Sequence, residues 1–346
     1  NIIAEADLTK LDFLVNSIAL EKKMGIKAKF RLKNLDSSDD NKFAFDLTGY
    51  NGLSINGEFI QSNSSNKISF KEIKYHNGNF AALIDVDQKN TRILLQGDLL
   101  DLSSANLENF FKHNKSGQSY LKLNIDLNKI KMKNNVNLTN VLVDMEYSQN
   151  TWVTTKMFAK IDGEDFISIE MSQEDKNYNL TTNRVDKLFA LLSITNKIKS
   201  GVLTGFISFA GNHQHHGPLE GSFNISNMTM KNNKFIAKLV SFISMPGLLN
   251  ALANSDIPFS RIKGDIYVSP RMDKILFKKV DATGAYFNFY AQAAIDTNAR
   301  IVDVKGGVIP SLYGINNLIG GLPVIKYLFG NKGGAVITPF SYKETF

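Results

Sequence analysis

The chain has 346 residues, 43% of them hydrophobic, and it carries a formal net charge of +7 with a pI near 9.2. This composition is typical of a folded chain with a large core or several domains, and it excludes an intrinsically disordered protein. The chain has no cysteine, which excludes disulfide frameworks, thiolate metal sites and cysteine nucleophiles.

The positive charge is compatible with nucleic acid or with an anionic membrane surface as a partner. Many lysines, such as Lys27, Lys29, Lys129 and Lys131, occupy alternate positions along predicted strands. No aromatic platform of the kind that binds single-stranded nucleic acid is interleaved with them. We therefore expect no nucleic acid partner and a weak attraction to anionic lipid headgroups.

A two-residue alternation of apolar and polar side chains recurs along the whole chain, including residues 287–296. It is clear in residues 26–33 and 43–55, where an Asn51-Gly52 pair predicts a tight hairpin turn, and again in residues 121–128. Because successive side chains of a strand point to opposite faces, each run predicts a strand with one apolar and one polar face. Turn residues recur about every 8–15 residues, close to the spacing of an antiparallel meander.

Helical periodicity is scarce and lies mostly in the second half of the chain. A short helix is predicted over Leu8–Ala19, and a clearer one over Asp186–Ile198 with Asp186 as its cap. Residues 233–254 predict a helix interrupted at Pro246-Gly247. Residues 309–329 hold one charge, Lys326, and are broken by glycine and proline, which predicts two short apolar helices rather than a bilayer span.

Groups that could carry chemistry are few. His213, His215 and His216 lie in a glycine-bounded turn, and residues 330–334 resemble a phosphate-binding loop only faintly. Asp162, Glu164 and Asp165 surround a glycine and indicate a turn. The sequence therefore predicts a protein that is not an enzyme and that has no metal or other cofactor.

The order of features in residues 201–340 resembles the C-terminal region of the AsmA-like superfamily, closest to its YhdP-like branch of bridge-like lipid transfer proteins. The resemblance is carried by the glycine-bounded strand at residues 201–211, by residues 219–225 and by the helix at 235–252. It continues through residues 257–264, Val308–Pro310, residues 315–320 and residues 322–325. Because the family continues into a further strand segment, we expect this chain to be a fragment or to have a shortened end.

The resemblance implies a mainly β fold, a long antiparallel curved groove like an open taco, with a few short helices concentrated in the C-terminal part. Residues 1–200 would be the strand-rich groove region and residues 201–346 the AsmA-like C-terminal region. It also implies a periplasmic protein of a Gram-negative envelope, anchored in the inner membrane by a segment outside this chain. Phospholipid would pass between inner and outer membrane along the groove, with envelope proteins as possible partners.

The apolar positions that we expect to line this groove are Phe30, Phe43, Phe45, Leu121, Leu123, Ile125, Leu127, Leu203, Ile207, Phe209, Ile266, Phe287, Phe289 and Ile295. The residues that we expect to contact a membrane or to gate the groove are Leu312, Ile315, Leu318, Ile319, Leu322, Ile325, Leu328 and Phe329.

Two alternatives remain open from the residues alone. The apolar faces could seal against each other in a closed β-sandwich, and the protein would then be a periplasmic scaffold or assembly factor for outer-membrane components without a lipid ligand. A polysaccharide-processing enzyme would instead need acidic side chains converging in a cleft.

Overall fold

The computed structural model describes residues 2–15, 20–35, 41–49, 52–75, 78–87, 90–103, 120–148, 151–171, 177–191, 197–209, 218–231, 256–270, 273–310 and 338–345. Of these residues, 80% are in strands and 5% in helices, and the main sheet is not closed. The predicted fold class, mainly β with an open antiparallel sheet and few helices, is confirmed.

The chain forms two compact units, unit 1 over residues 1–171 and unit 2 over residues 172–346. The boundary that the sequence places near Ser200 falls inside a strand of unit 2, Ile198–Phe209.

Unit 1 contains the strands β1 (Ile2–Asp7), β2 (Phe13–Val15), β3 (Leu20–Lys22), β4 (Ala28–Leu35), β5 (Asn41–Gly49), β6 (Ser54–Gln61), β7 (Ser65–Tyr75), β8 (Gly78–Asp87), β9 (Asn90–Asp101), β10 (Tyr120–Lys131), β11 (Asn137–Ser148), β12 (Thr151–Ile161) and β13 (Asp165–Met171). β1 pairs with β4, and the strands from β4 to β9 then pair antiparallel in chain order. β9 and β10 pair in parallel, after which β10 to β13 are antiparallel again. β2 and β3 form a separate two-stranded sheet.

Unit 2 contains the strands β14 (Tyr178–Thr182), β15 (Ile198–Phe209), β16 (Leu219–Met230), β17 (Ile257–Val268), β18 (Lys274–Gly284), β19 (Phe287–Asp296), β20 (Ile301–Pro310) and β21 (Thr338–Thr345), with helix α1 (Val185–Leu191) between the first two. These strands form an antiparallel meander in chain order. Val185 and Leu188 of α1 are buried.

Irregular positions interrupt the strands partway along their length. Asn140 in β11, Asn227 in β16 and Lys279 in β18 have positive φ values of 49°, 52° and 49°, and the pairing register shifts beside Asn140 and Lys279. A β-bulge inserts an extra residue, bends the strand and increases its twist. The bulges therefore divide these strands into two segments that need not have the same surroundings.

The predicted turns and helices have mixed outcomes. The hairpin at Asn51-Gly52 is confirmed by the pairing of β5 with β6, and Gly52 has the positive φ of 76° that a tight turn requires. The helix predicted over Leu8–Ala19 is wrong, since β2 lies within that range. The helix predicted over Asp186–Ile198 is confirmed as α1, but α1 begins at Val185, so Asp186 lies in its first turn and does not cap it. The predicted end is also wrong, because Ile198 begins β15.

Candidate functional site

The strand register places one set of apolar side chains on a common face of each unit. In unit 1, Ile125 of β10 pairs with Val143 of β11 and with Leu95 of β9, and Phe45 of β5 pairs with Leu32 of β4. Because paired residues of adjacent strands share a face, the register can be followed from strand to strand. We call the face that contains these residues the inner face of unit 1.

The strand register of unit 2 likewise gives it an apolar face, which we call the inner face of unit 2. Ile207 of β15 pairs with Gly221 of β16, which pairs with Ile266 of β17, and Ile266 pairs with Phe277 of β18. Every predicted lining residue of unit 1 lies on the inner face of unit 1, and every predicted lining residue of unit 2 lies on the inner face of unit 2.

The inner face is fully covered at one end of the strands, which we call the buried half. In unit 1 its residues include Leu53, Ile55, Ile73, Tyr75, Phe80, Ala82, Leu127, Val141, Ala159, Ile161 and Ile167. In unit 2 they include Leu203, Ile225, Met228, Ile257, Phe259, Ile262, Val280, Ala282, Phe287, Ala291, Val308 and Phe340. Three predicted lining residues, Leu127, Leu203 and Phe287, are therefore core residues with exposures of 1%, 6% and 0%.

At the other end of the strands, the open half, inner-face side chains are only half-buried. In unit 1 they include Leu32, Phe43, Phe45, Phe59, Ile68, Phe70, Ile84, Ile93, Leu95, Leu121, Leu123, Ile125, Val143, Met145, Tyr147, Met157 and Ile169. In unit 2 they are Tyr178, Leu180, Ile207, Phe209, Leu219, Phe223, Ile266, Val268, Ile275, Phe277, Ala293, Ile295, Val302, Val304 and Tyr342. Thr91, Thr155 and Met171 are exceptions in unit 1, because they are buried although they lie towards this end.

Two predicted lining residues lie at the margins of these sets. Phe30 is half-buried on β4, close to the buried Ala28. Phe289 is half-buried, and its ring contacts the ring of the buried Phe259 with centroids 5.7 Å apart. Phe289 therefore lies between the open and the buried half of unit 2.

Aromatic rings contact one another across the inner face. Phe45 meets Phe70 edge-on with ring centroids 5.5 Å apart, and Phe223 meets Phe277 in the same way at 5.8 Å. Phe45 lies over Gly57, where an added Cβ would be 2.6 Å from the ring. A glycine facing an aromatic ring lets the ring pack against the sheet, which here produces a continuous apolar wall.

The opposite, outer face is charged. Glu58 forms ion pairs with Lys42 and Lys71 from the two neighbouring strands, and hydrogen bonds from these two lysines hold the pKa of Glu58 below its usual value. Unit 2 has comparable cross-strand pairs, such as Lys263 with Asp281. Exposed ion pairs of this kind contribute little to stability, but they keep one side of the sheet hydrated.

The outer face of unit 1 also has a depression of about 540 Å³. Its lining includes the exposed apolar residues Leu142 and Phe158 beside Asp144, Lys156 and Glu170. Sequence reasoning missed these two apolar residues. The three successive apolar residues 141–143 were a usable signal, because they break the alternation at the bulge.

The structure brings no catalytic group together in the part of the chain that it describes. Asp162 and Glu164 are exposed at the turn between β12 and β13, and Glu164 pairs with Lys160. No group of His, Asp or Glu side chains among the described residues could hold a metal ion. The histidine cluster at 213–216 and the glycine segment 330–334 lie outside the described residues.

The predicted membrane or gating residues between Leu312 and Phe329 also lie outside the described residues, as does the helix predicted at 233–254. Their roles stay predictions. What the structure shows is where the adjoining strands end. β16 ends at Met230, β17 begins at Ile257 and β21 begins at Thr338, all at the buried end of unit 2.

No protein-family model matches the chain, and neither the curated proteins nor the solved structures include a significant match. Among the described residues, no helix combines the length and the hydrophobicity that crossing a bilayer requires.

Proposed function

We propose that the open half of the inner face binds the hydrocarbon chains of phospholipids, and that the protein transports lipid without catalysis between the inner and outer membranes of a Gram-negative envelope. The observation that supports this proposal is the contrast within single strands. On β10, Leu127 is 1% exposed, whereas Leu121, Leu123 and Ile125 on the same face are half-buried. The apolar wall thus continues beyond the part that the protein itself covers.

Hydrocarbon is the ligand that suits such a wall. Burying a methylene group is worth about 0.8 kcal/mol, so a lipid chain in water gains many kcal/mol by covering apolar surface. Among the described residues, the half-buried side chains of the open half are uncharged, and Glu344, exposed near the end of β21 and hydrogen-bonded by the Tyr342 hydroxyl, is the charged residue that shares this face. Adjacent strands lie about 4.8 Å apart, so the strands β5 to β13 extend the wall for roughly 40 Å.

The compartment and the direction of the path come from the resemblance. An AsmA-like protein would lie in the periplasm, anchored to the inner membrane by a segment outside this chain. Its wall would shield lipid tails from water between the two membranes. The charged outer face, with ion pairs such as Lys42–Glu58, is suited to contact with water while the inner face holds lipid.

A second candidate is a scaffold or assembly factor for outer-membrane components that binds no lipid. The buried half favours it, because Phe259 and Phe287 pack edge-on with ring centroids 5.7 Å apart and are 1% and 0% exposed. In that case the filled core would be the functional part of the fold, as a rigid platform for partners. The two candidates differ in whether lipid is bound.

The test is native mass spectrometry of detergent-free protein, applied to the wild type and to matched variants in unit 1. We expect bound phospholipid in the wild type. The Ile125→Arg variant should lose it, because a charge in the wall costs several kcal/mol to desolvate, whereas Ile125→Leu should retain it. Gln96→Arg, at an exposed position of the outer face, is the matched control and should also retain lipid.

Phe289→Arg is the corresponding change in unit 2, and we expect it to block lipid passage as well. Because Phe289 contacts the buried Phe259, Phe289→Arg can also destabilise the fold. The unfolding midpoint of this variant must therefore be measured together with its lipid content. A wild type that carries no lipid, or Arg variants that carry as much as the wild type, would contradict the proposal and favour the scaffold.

A further inference from the structure

Two turns beside the first strands of unit 1 present apolar side chains to solvent. Met24 is 68% exposed and Leu11 is 55% exposed, the two highest values among the large hydrophobic residues of the described chain. Lys10, Lys23 and Lys27 are also exposed and flank these side chains in sequence. We call Lys10, Leu11, Lys23, Met24 and Lys27 the basic–apolar tip.

The two turns are tied together. The Lys22 side chain, only 2% exposed, donates from Nζ to the carbonyl oxygen of Leu11 at 2.6 Å. The backbone N–H of Gly25 donates to the carbonyl oxygen of Thr9 at 2.8 Å. These cross-links hold the turn that carries Leu11 beside the turn that carries Met24, so the exposed apolar residues belong to one ordered surface.

The charge around the tip is positive on balance. Asp7 is turned back to its own segment, since its carboxylate accepts hydrogen bonds from the Thr9 backbone N–H and hydroxyl. Asp7 and Asp12 are nevertheless exposed carboxylates in the same segment, and the exposed lysines Lys10, Lys23 and Lys27 outnumber them by one. Exposed apolar side chains surrounded by lysines are the combination that binds membrane surfaces, because the apolar groups insert and the cations attract anionic lipid.

We propose that the basic–apolar tip docks the protein on a bilayer that contains anionic phospholipid. The tip adjoins the inner face of unit 1, because the Leu8 N–H donates to the carbonyl oxygen of Ala28, and Ala28 and Phe30 are the first inner-face residues of β4. A membrane bound at the tip would therefore lie at the buried end of this inner face, from which the apolar wall runs along the strands to the open half. This inference rests on the proposed function for its purpose, but docking can be measured without transfer.

The main experiment is sedimentation of the full chain with phosphatidylcholine vesicles, with and without phosphatidylglycerol. We expect binding to the vesicles that contain phosphatidylglycerol, weakened by salt. Leu11→Asp with Met24→Asp should reduce it at least tenfold. Lys10→Gln, Lys23→Gln and Lys27→Gln together should reduce it about a hundredfold at low salt, since each lysine near the surface contributes about fivefold.

Leu142→Asp with Val202→Asp is the matched control, because both residues are exposed apolar side chains outside the tip. This control should bind vesicles like the wild type. A wild type that does not bind, tip variants that bind normally, or a control that loses as much binding as the tip variants would each overturn the proposal.

The absence of cysteine from the chain allows a direct readout of position. An environment-sensitive dye on Met24→Cys should shift to the blue with vesicles that contain phosphatidylglycerol, whereas the same dye on Leu142→Cys should not. Equal shifts at both positions, or none at Met24→Cys, would also overturn the proposal. Lipid bound to the purified protein separates the two proposals, because the tip variants should retain it and Ile125→Arg should lose it while still binding vesicles.

Discussion

Leu123 and Leu127 lie on the same face of the same strand, β10, yet they are in different environments. Leu127 is 1% exposed and belongs to the buried half, whereas Leu123 is half-buried in the open half. In unit 2, Phe259 and Ile266 of β17 show the same contrast. An apolar alternation therefore identifies which face of the sheet is apolar, but it does not show whether other parts of the protein cover that face.

The contrast also separates stability from function. Residues of the buried half are packed on all sides, so removing their atoms leaves cavities. Residues of the open half can lose atoms to solvent-accessible space at less cost, and they remain accessible to a ligand. We therefore expect substitutions in the two halves to affect different measurements.

The largest expected effect is on stability in the buried half. Leu127→Ala should lower the free energy of unfolding by about 2–5 kcal/mol, because a fully buried leucine is removed and a cavity remains. Leu123→Ala, the matched variant on the same strand, should cost about 1 kcal/mol because that side chain is already partly exposed. Urea unfolding of both variants is the measurement. Equal losses would show that the two halves are packed alike.

The pH dependence of stability gives a second test of the buried half, at Tyr75, which is 3% exposed. Burial, with the nearby Asp101 carboxylate, raises the pKa of Tyr75 to about 12. Since the unfolded value is 10.0, the folded state holds this proton more tightly. The resulting stability is complete below pH 10 and is lost as the pH rises to about 12.

Tyr75→Phe should therefore weaken the fall in stability between pH 10 and pH 12 by up to about 2 kcal/mol, as measured by urea unfolding across this range. An unchanged profile for Tyr75→Phe would mean that its hydroxyl is hydrated.

The smallest expected effect is at a bulge between the two halves. Lys279 has a φ of 49°, which a lysine adopts at a cost and a glycine does not. Lys279→Gly should raise the free energy of unfolding by about 0.5–1 kcal/mol. Lys278→Gly, in a strand position without positive φ, should instead lower it by about 1 kcal/mol. Destabilisation by both would show that the bulge is not under backbone strain.

Much of the fold could be predicted from the sequence, because strand alternation is a local property. The face shared by Phe43, Phe45 and Leu47 follows directly from it, and so does the hairpin at Asn51-Gly52. The division into buried and open halves could not be predicted, because it depends on how distant strands curl. Asn140 and Asn227 weakly indicate bulges in the sequence, because asparagine adopts a positive φ more readily than most residues. Lys279 gives no such indication.

The candidate site was predicted in part for the same reason. The sequence placed the lining residues on one face of each unit, but Leu127, Leu203 and Phe287 proved to be core residues. The helix predicted over Leu8–Ala19 failed because apolar spacing over a short segment does not distinguish a helix from a hairpin. That region instead contains Leu11, one of the two apolar residues of the basic–apolar tip.

The most direct test of the proposal that the open half binds lipid is photocrosslinking from single positions along the first half of β10. A photoreactive amino acid would replace, one at a time, the inner-face residues Leu121, Leu123 and Ile125 and the alternating residues Lys122, Asn124 and Asp126. We expect lipid to be captured from the first three positions and not from the other three. Capture without regard to this alternation, or no capture at any position, would contradict a lipid-binding inner face.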